Sequence, residues 1–117
     1  MKSFTRAARK VGKEEFVRFA SVVGDFNPIH YDRDFAEQLK LPSVVAQGPL
    51  VMLLALEAIA AEGGLSQVKR FEARIVGPVF PDLDLSVQQN ENGEVQVLDQ
   101  GRVVLAGTVA SGPKCKD

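Results

Sequence analysis

Cysteine is nearly missing from this chain. Cys115 is the only one in 117 residues, so no internal disulfide can form. Tryptophan is absent, and His30 is the only histidine. A set of Cys and His ligands at zinc spacing therefore cannot be assembled. Charge of one sign is not in excess either: 14 basic and 15 acidic side chains leave a net −1. That excludes the basic excess of a protein that holds nucleic acid electrostatically. The cations Lys2, Arg6, Arg9 and Lys10 read as a solvated face of a first strand. The most apolar run, residues 44–61, is interrupted by Gln47, Gly48, Pro49 and Glu57. A membrane-spanning helix needs about 20 apolar residues, so this run reads as a buried helix. Residues 1–10 are polar and charged and show no secretory signal. The expectation is a cytoplasmic protein whose Cys115 stays a reduced thiol. Ser21, Ser43, Ser66, Ser86 and Ser111 lack a nucleophile-elbow context. There is no phosphate-binding loop or dinucleotide fingerprint, and Asp82-Leu83-Asp84 reads as a turn and strand start rather than a metal site.

What is present suits one globular domain over residues 1–117, with 45% hydrophobic residues and no repeat or linker. Residues 4–11 read as a first strand, broken by Gly12. Residues 13–23 read as a helix, because Phe16, Phe19, Ala20 and Val23 recur at helical spacing on one face. Gly24 is placed to end it. Residues 25–31 must be irregular, since Pro28 cannot sit inside a helix and biases Asn27 away from helical backbone. Asp32 is a candidate N-cap for a short helix over residues 33–40. Pro49 is read at the first position of a long helix over residues 49–62, apolar almost all round and stopped by Gly63-Gly64. The second half has strand composition at residues 68–76, 83–89, 94–98 and 102–110. Leu83, Leu85 and Val87 alternate with Asp84, Ser86 and Gln88, and short turns at residues 91–93 and 99–101 predict antiparallel hairpins. Helices first and hairpins later imply an α+β domain, with a buried helix wrapped by a curved antiparallel sheet. Such a sheet leaves edges and apolar surface, which predicts a dimer.

The chemistry concentrates in Gly24-Asp25-Phe26-Asn27-Pro28-Ile29-His30, where the only histidine stands five positions after an acid. Histidine is the side chain best suited to moving protons near neutral pH. If the Asn27-Pro28 turn folds the loop back, Asp25 and His30 could hold a water between them. The alternative is that Asp25 caps local N–H groups while His30 packs as a core histidine, and Asn27 serves the turn. Gln47-Gly48, just before the long helix, is a second candidate. A helix N-terminus offers unpaired N–H groups and partial positive charge, and glycine allows close approach to the backbone. Such a point could bind a carbonyl oxygen that gains charge, or be a plain loop.

Three stretches together resemble the MaoC-like hydratases: the (R)-specific enoyl-CoA hydratases and 3-hydroxyacyl-ACP dehydratases of the hot-dog fold. The family motif F-A-x-x-[ST]-G-D-x-N-P-[IL]-H-x-D-x-x-[FY]-A is matched by Phe19-Ala20-Ser21-Val22-Val23-Gly24-Asp25-Phe26-Asn27-Pro28-Ile29-His30-Tyr31-Asp32-Arg33-Asp34-Phe35-Ala36. The following [IV]-A-H-G-[ML]-L is similar to Val45-Ala46-Gln47-Gly48-Pro49-Leu50, and R-F-x-x-P-V-x-P-G-D to the run from Arg74 through Pro81. The resemblance spans about residues 13–110. It implies reversible syn hydration of a trans-2-enoyl thioester, with Asp25 and His30 catalytic. Gly48 would hold the thioester oxygen, with Asn27 and Gln47 beside the substrate. It implies no metal and no redox cofactor; CoA or acyl carrier protein carries the acyl chain. It also implies a homodimer or larger homo-oligomer. Departures are Gln47 for the usual His, Pro49 for Met, Leu56 where some hydratases have serine, and Asp82-Leu83 for Gly-Asp. An acyl-thioester hydrolase and a non-catalytic partner subunit of a dehydratase are the competing expectations.

Overall fold

The computed structural model describes residues 1–111, so Cys115 lies outside the described residues. The elements are β1 (Phe4–Ala7), α1 (Lys13–Val23), α2 (Arg33–Gln38), α3 (Gly48–Ala61), β2 (Val68–Ile75), β3 (Leu85–Gln89), β4 (Glu94–Asp99) and β5 (Arg102–Ser111). Single 3₁₀ turns lie at Pro28–His30 and Leu65–Gln67.

The five strands form one antiparallel sheet in the order β1-β3-β4-β5-β2. It curves around α3, the α+β hot-dog arrangement that the sequence implies. Two hairpins make its centre. Gly93 and Gly101 turn them with φ of 83° and 85°, a left-handed backbone that only glycine adopts without strain. Register sets the faces: Val87 pairs with Val97, Val97 with Leu105, and Leu105 with Ile75. Directly paired residues point to one side of a sheet, and this row faces α3. Val87, Val97 and Leu105 are completely buried there, together with Leu50, Val51, Leu54, Ala55 and Ile59 of α3. Each fully buried Val, Leu or Ile contributes about 1.5–3 kcal/mol of transfer free energy. That explains why the core consists of aliphatic side chains with Phe16 of α1 as its one fully buried aromatic.

The sequence reading holds for most elements and shifts at several. α1 has the expected limits, and Gly24 caps it at φ 72° with its N–H on the Ala20 carbonyl. Asp32 caps α2, its carboxylate accepting from the Phe35 N–H. β1 is shorter than expected and ends at Ala7; one further bond, Ala8 N–H to the Leu85 carbonyl, extends its pairing. α3 starts one residue earlier than expected, with Gln47 at the N-cap, Gly48 first and Pro49 second. The helix is also less enclosed than its composition implies, since Leu53, Glu57 and Ala60 are exposed. Acids explain the cations around β1, which are not simply solvated. Lys2 and Arg6 both meet Glu62 at 2.8 Å, Arg9 meets Glu57 and Glu15, and Lys10 meets Asp84. These pairs tie the edge strand to α1, to the loop before β3 and to the C-terminal half of α3. No described helix is long and apolar enough to cross a membrane.

Candidate active site

The loop between α1 and α2 is closed by its own polar groups. The Asp25 N–H continues the end of α1 onto the Ala20 carbonyl at 3.1 Å. Asn27 accepts the Ile29 N–H on its side-chain oxygen at 3.1 Å, which forms the turn ahead of Pro28–His30. The Tyr31 hydroxyl donates to the Phe26 carbonyl at 3.0 Å and holds the two ends of the loop together. The Asn27 N–H donates to Asp25 Oδ1 at 3.2 Å, which leaves Oδ2 pointing at the histidine.

His30 is 9% exposed. Its Nδ1 lies 2.8 Å from the Val45 carbonyl oxygen. A carbonyl only accepts, so Nδ1 carries the hydrogen, and in the neutral ring Nε2 is an acceptor. Nε2 lies 3.6 Å from Asp25 Oδ2, whose side chain is 48% exposed. That distance is too long for a direct hydrogen bond. Two acceptors that face each other across such a gap are suited to a small donor with two hydrogens.

Val45 also links the pair to the second candidate. Its N–H donates to the Ile29 carbonyl, and the next N–H, of Ala46, to the Val79 carbonyl at 2.8 Å. Two residues further on, Gly48 opens α3. Gln47 and Val51 complete this entry, the Val51 N–H returning to the Gln47 carbonyl at 3.2 Å. A Cβ built on Gly48 would stand 3.2 Å from Ile75 Cγ1. Gln47 is only 1% exposed. Its Nε2 donates to the Phe16 carbonyl at 2.8 Å and joins α1 to α3, while its Oε1 is buried with no partner. Leu56 is half-buried and packs against the aliphatic core. Asp82 has φ 64°, the left-handed backbone for which the family motif supplies glycine, and its N–H donates to the Val11 carbonyl.

Asp25 Oδ2 and His30 Nε2 stand 3.6 Å apart, while Asp25 also caps the Asn27 N–H and His30 is buried, so the features of both sequence readings are present, and the same short segment from Val45 to Gly48 holds the histidine and starts the long helix. Three contributors escape the sequence reading: the Val45 carbonyl that sets the tautomer, the Tyr31 hydroxyl that closes the loop, and Ile75 against Gly48. Ile75 had a signal in its place in the strand that resembles R-F-x-x-P-V, and Tyr31 in its place beside the start of the short helix; the Val45 carbonyl had none. A recess of about 560 Å³ lies elsewhere, lined by Arg74, Gln88, Gln96 and Thr108, and includes neither member of the pair.

Comparison with known proteins agrees with this architecture. The MaoC like domain family matches residues 1–112, and the chain belongs to that family. It is 30% identical over 94 residues to the peroxisomal enoyl-CoA hydratase 2 of Arabidopsis thaliana, covering 74% of this chain and 30% of that protein. It is 32% identical over 81 residues to the fatty acid synthase beta subunit TOXC of Cochliobolus carbonum, covering 67% of this chain and 4% of that one. The chain thus spans a minor part of both curated relatives. Among solved structures, the unliganded R-hydratase PhaJ1 from Pseudomonas aeruginosa superposes with a TM-score of 0.77 at 24% identity, covering 92% of this chain and 77% of that chain. That likeness establishes a shared fold.

Proposed function

We propose that this protein hydrates trans-2-enoyl thioesters to (R)-3-hydroxyacyl thioesters, reversibly and by syn addition. The observation that carries this reading is the pair of facing acceptors, Asp25 Oδ2 and His30 Nε2, 3.6 Å apart. A water donates one hydrogen to each. As its oxygen adds to C3 of the enoyl group, one of the two bases takes a proton. The electron pair of the C2–C3 double bond moves toward the thioester, and its oxygen gains negative charge. The Gly48 N–H, at the positive end of α3, stabilises that charge. A proton is then returned to C2 from the same pair, on the face where oxygen was added. Water supplies both the hydroxyl and the net proton, so no redox or metal chemistry is called for. CoA or acyl carrier protein is the carrier.

Asn27 and Gln47 support this subsite through their observed partners. Asn27 shapes the turn and its N–H steadies the Asp25 carboxylate. Gln47 fixes the entry to α3 through the Phe16 carbonyl. The protein acts as a homodimer or larger homo-oligomer in this reading. Strand β2 is at a sheet edge, and Val22, Val23, Phe26 and Val76 are exposed apolar residues, as expected of a surface that another copy covers.

The stereochemistry tests the scheme. Crotonyl-CoA incubated with the protein in deuterium oxide should give (R)-3-hydroxybutyryl-CoA with one deuterium at C2, placed syn to the hydroxyl. The S product, or deuterium on the opposite face, would exclude delivery of both groups from one Asp–His pair.

A further inference from the structure

We infer that Ile75 is a specificity-determining residue, which closes the space beside the Gly48 N–H to acyl thioesters that carry a substituent on C2. The register places Ile75 on the α3 side of the sheet, in one row with Leu105, Val97 and Val87. The other three are fully buried, yet Ile75 is 44% exposed. It lies at the end of β2, beyond the part of the strand where Phe71 and Ala73 pack on the core. Its Cγ1 instead stands 3.2 Å from the position of a Gly48 Cβ.

That contact fixes where Ile75 sits relative to a bound thioester. In an α-helix each Cα–Cβ bond tilts toward the N-terminus, the end at which the first N–H groups are free. A side chain that occupies the Cβ direction of Gly48 therefore flanks the opening served by the Gly48 N–H. Any carbonyl oxygen bonded there has Ile75 beside it. A thioester carbonyl has two neighbours. The sulfur carries the same pantetheine arm in every substrate, so C2 is the one neighbour whose bulk varies. A flat, unbranched enoyl group passes under the isoleucine; a methyl on C2 meets the Cγ1–Cδ1 arm of Ile75, which its branched Cβ holds stiff at χ1.

This inference rests on the hydratase reading for its subsite, and its test uses binding so that the two can fail separately. Calorimetry on the full chain would compare butyryl-CoA with 2-methylbutyryl-CoA, neither of which can be hydrated. Wild-type protein should prefer butyryl-CoA by at least about 10-fold, the lower end of what one misplaced methyl costs in a fitted pocket. Ile75→Ala should bring the ratio to about 2 or below, with Ile75→Val between them. Ile75 is half-exposed at a strand end, so both variants should fold. A ratio unchanged by Ile75→Ala overturns the inference, and wild-type hydration of crotonyl-CoA then leaves the hydratase reading standing. Failure to bind either thioester overturns it as well. A collapse of the ratio in a protein that hydrates nothing supports the Ile75 wall and rejects hydration.

Discussion

His30 donates its Nδ1–H to the Val45 carbonyl, 2.8 Å away, and this bond decides what the rest of the ring can do. It commits the neutral imidazole to one tautomer and turns Nε2, as an acceptor, toward Asp25. A backbone carbonyl cannot change its role with pH, so the ring is held by a partner that never competes for its proton. The carbonyl also belongs to the segment that starts α3, which couples the position of the base to that of the Gly48 N–H.

Asp25→Asn keeps the shape of the side chain and removes its basicity. Turnover of crotonyl-CoA should fall about 10²–10⁴-fold, the usual weight of acid–base catalysis. Asp25 is exposed, so the melting temperature should change little. Near-wild-type turnover in a folded Asn variant would remove Asp25 from the chemistry.

His30→Ala should cause a similar loss and delete one limb of the pH profile of kcat/KM. Because no other histidine exists in the chain, the assignment is direct. The substitution also leaves the Val45 carbonyl without its side-chain donor, so about 1–3 kcal/mol of stability is expected to go with it. A profile of unchanged shape would make His30 structural.

Much of this arrangement is legible in the sequence, and the part that is not has a common cause. The limits of α1 follow from local periodicity and a glycine cap. The Asp25–His30 pairing follows from the Asn-Pro turn between them. These features depend on neighbours within a few residues. Most of the ion pairs around β1 join residues far apart in the chain, such as Arg6 and Glu62, 56 positions apart, and only the folded chain brings them together. The orphaned Oε1 of Gln47 is equally invisible beforehand. The sequence shows Gln47 only as a residue before the long helix, whereas in the fold its amide donates to the Phe16 carbonyl of α1. Asp82 lies between these cases: its departure from glycine is readable, but not that it keeps the left-handed backbone, at φ 64°.

Gly48→Ala tests the packing at the helix entry. Its new Cβ would stand 3.2 Å from Ile75 Cγ1, closer than ordinary van der Waals contact, so the Ile75 side chain or the first turn of α3 must give by a few tenths of an ångström. Displacing the oxyanion donor should lower kcat/KM by about 10-fold or more. Adding Ile75→Ala should restore part of the loss. An equal deficit in the single and double variants would contradict the contact as its cause.

Glu62 gives a prediction for stability against pH. Hydrogen bonds from Lys2 and then Arg6 lower its pKa from the ordinary 4.5. A carboxylate with a depressed folded-state pKa stabilises fully above its unfolded value, and that contribution is lost as pH falls through the folded value. Glu62→Gln should therefore lower the melting temperature near neutral pH, and the gap to wild type should narrow as the pH drops below 4.5. A gap that stays constant across this range would show that the two cations do not act through the charge of Glu62.

The most direct test of the central claim follows crotonyl-CoA with the 117-residue chain, measuring the enoyl-thioester absorbance and the free thiol in one reaction. The account predicts that the enoyl signal falls to an equilibrium while no thiol appears. Thiol released in step with substrate loss would contradict hydration and identify hydrolysis of the thioester as the reaction at this site.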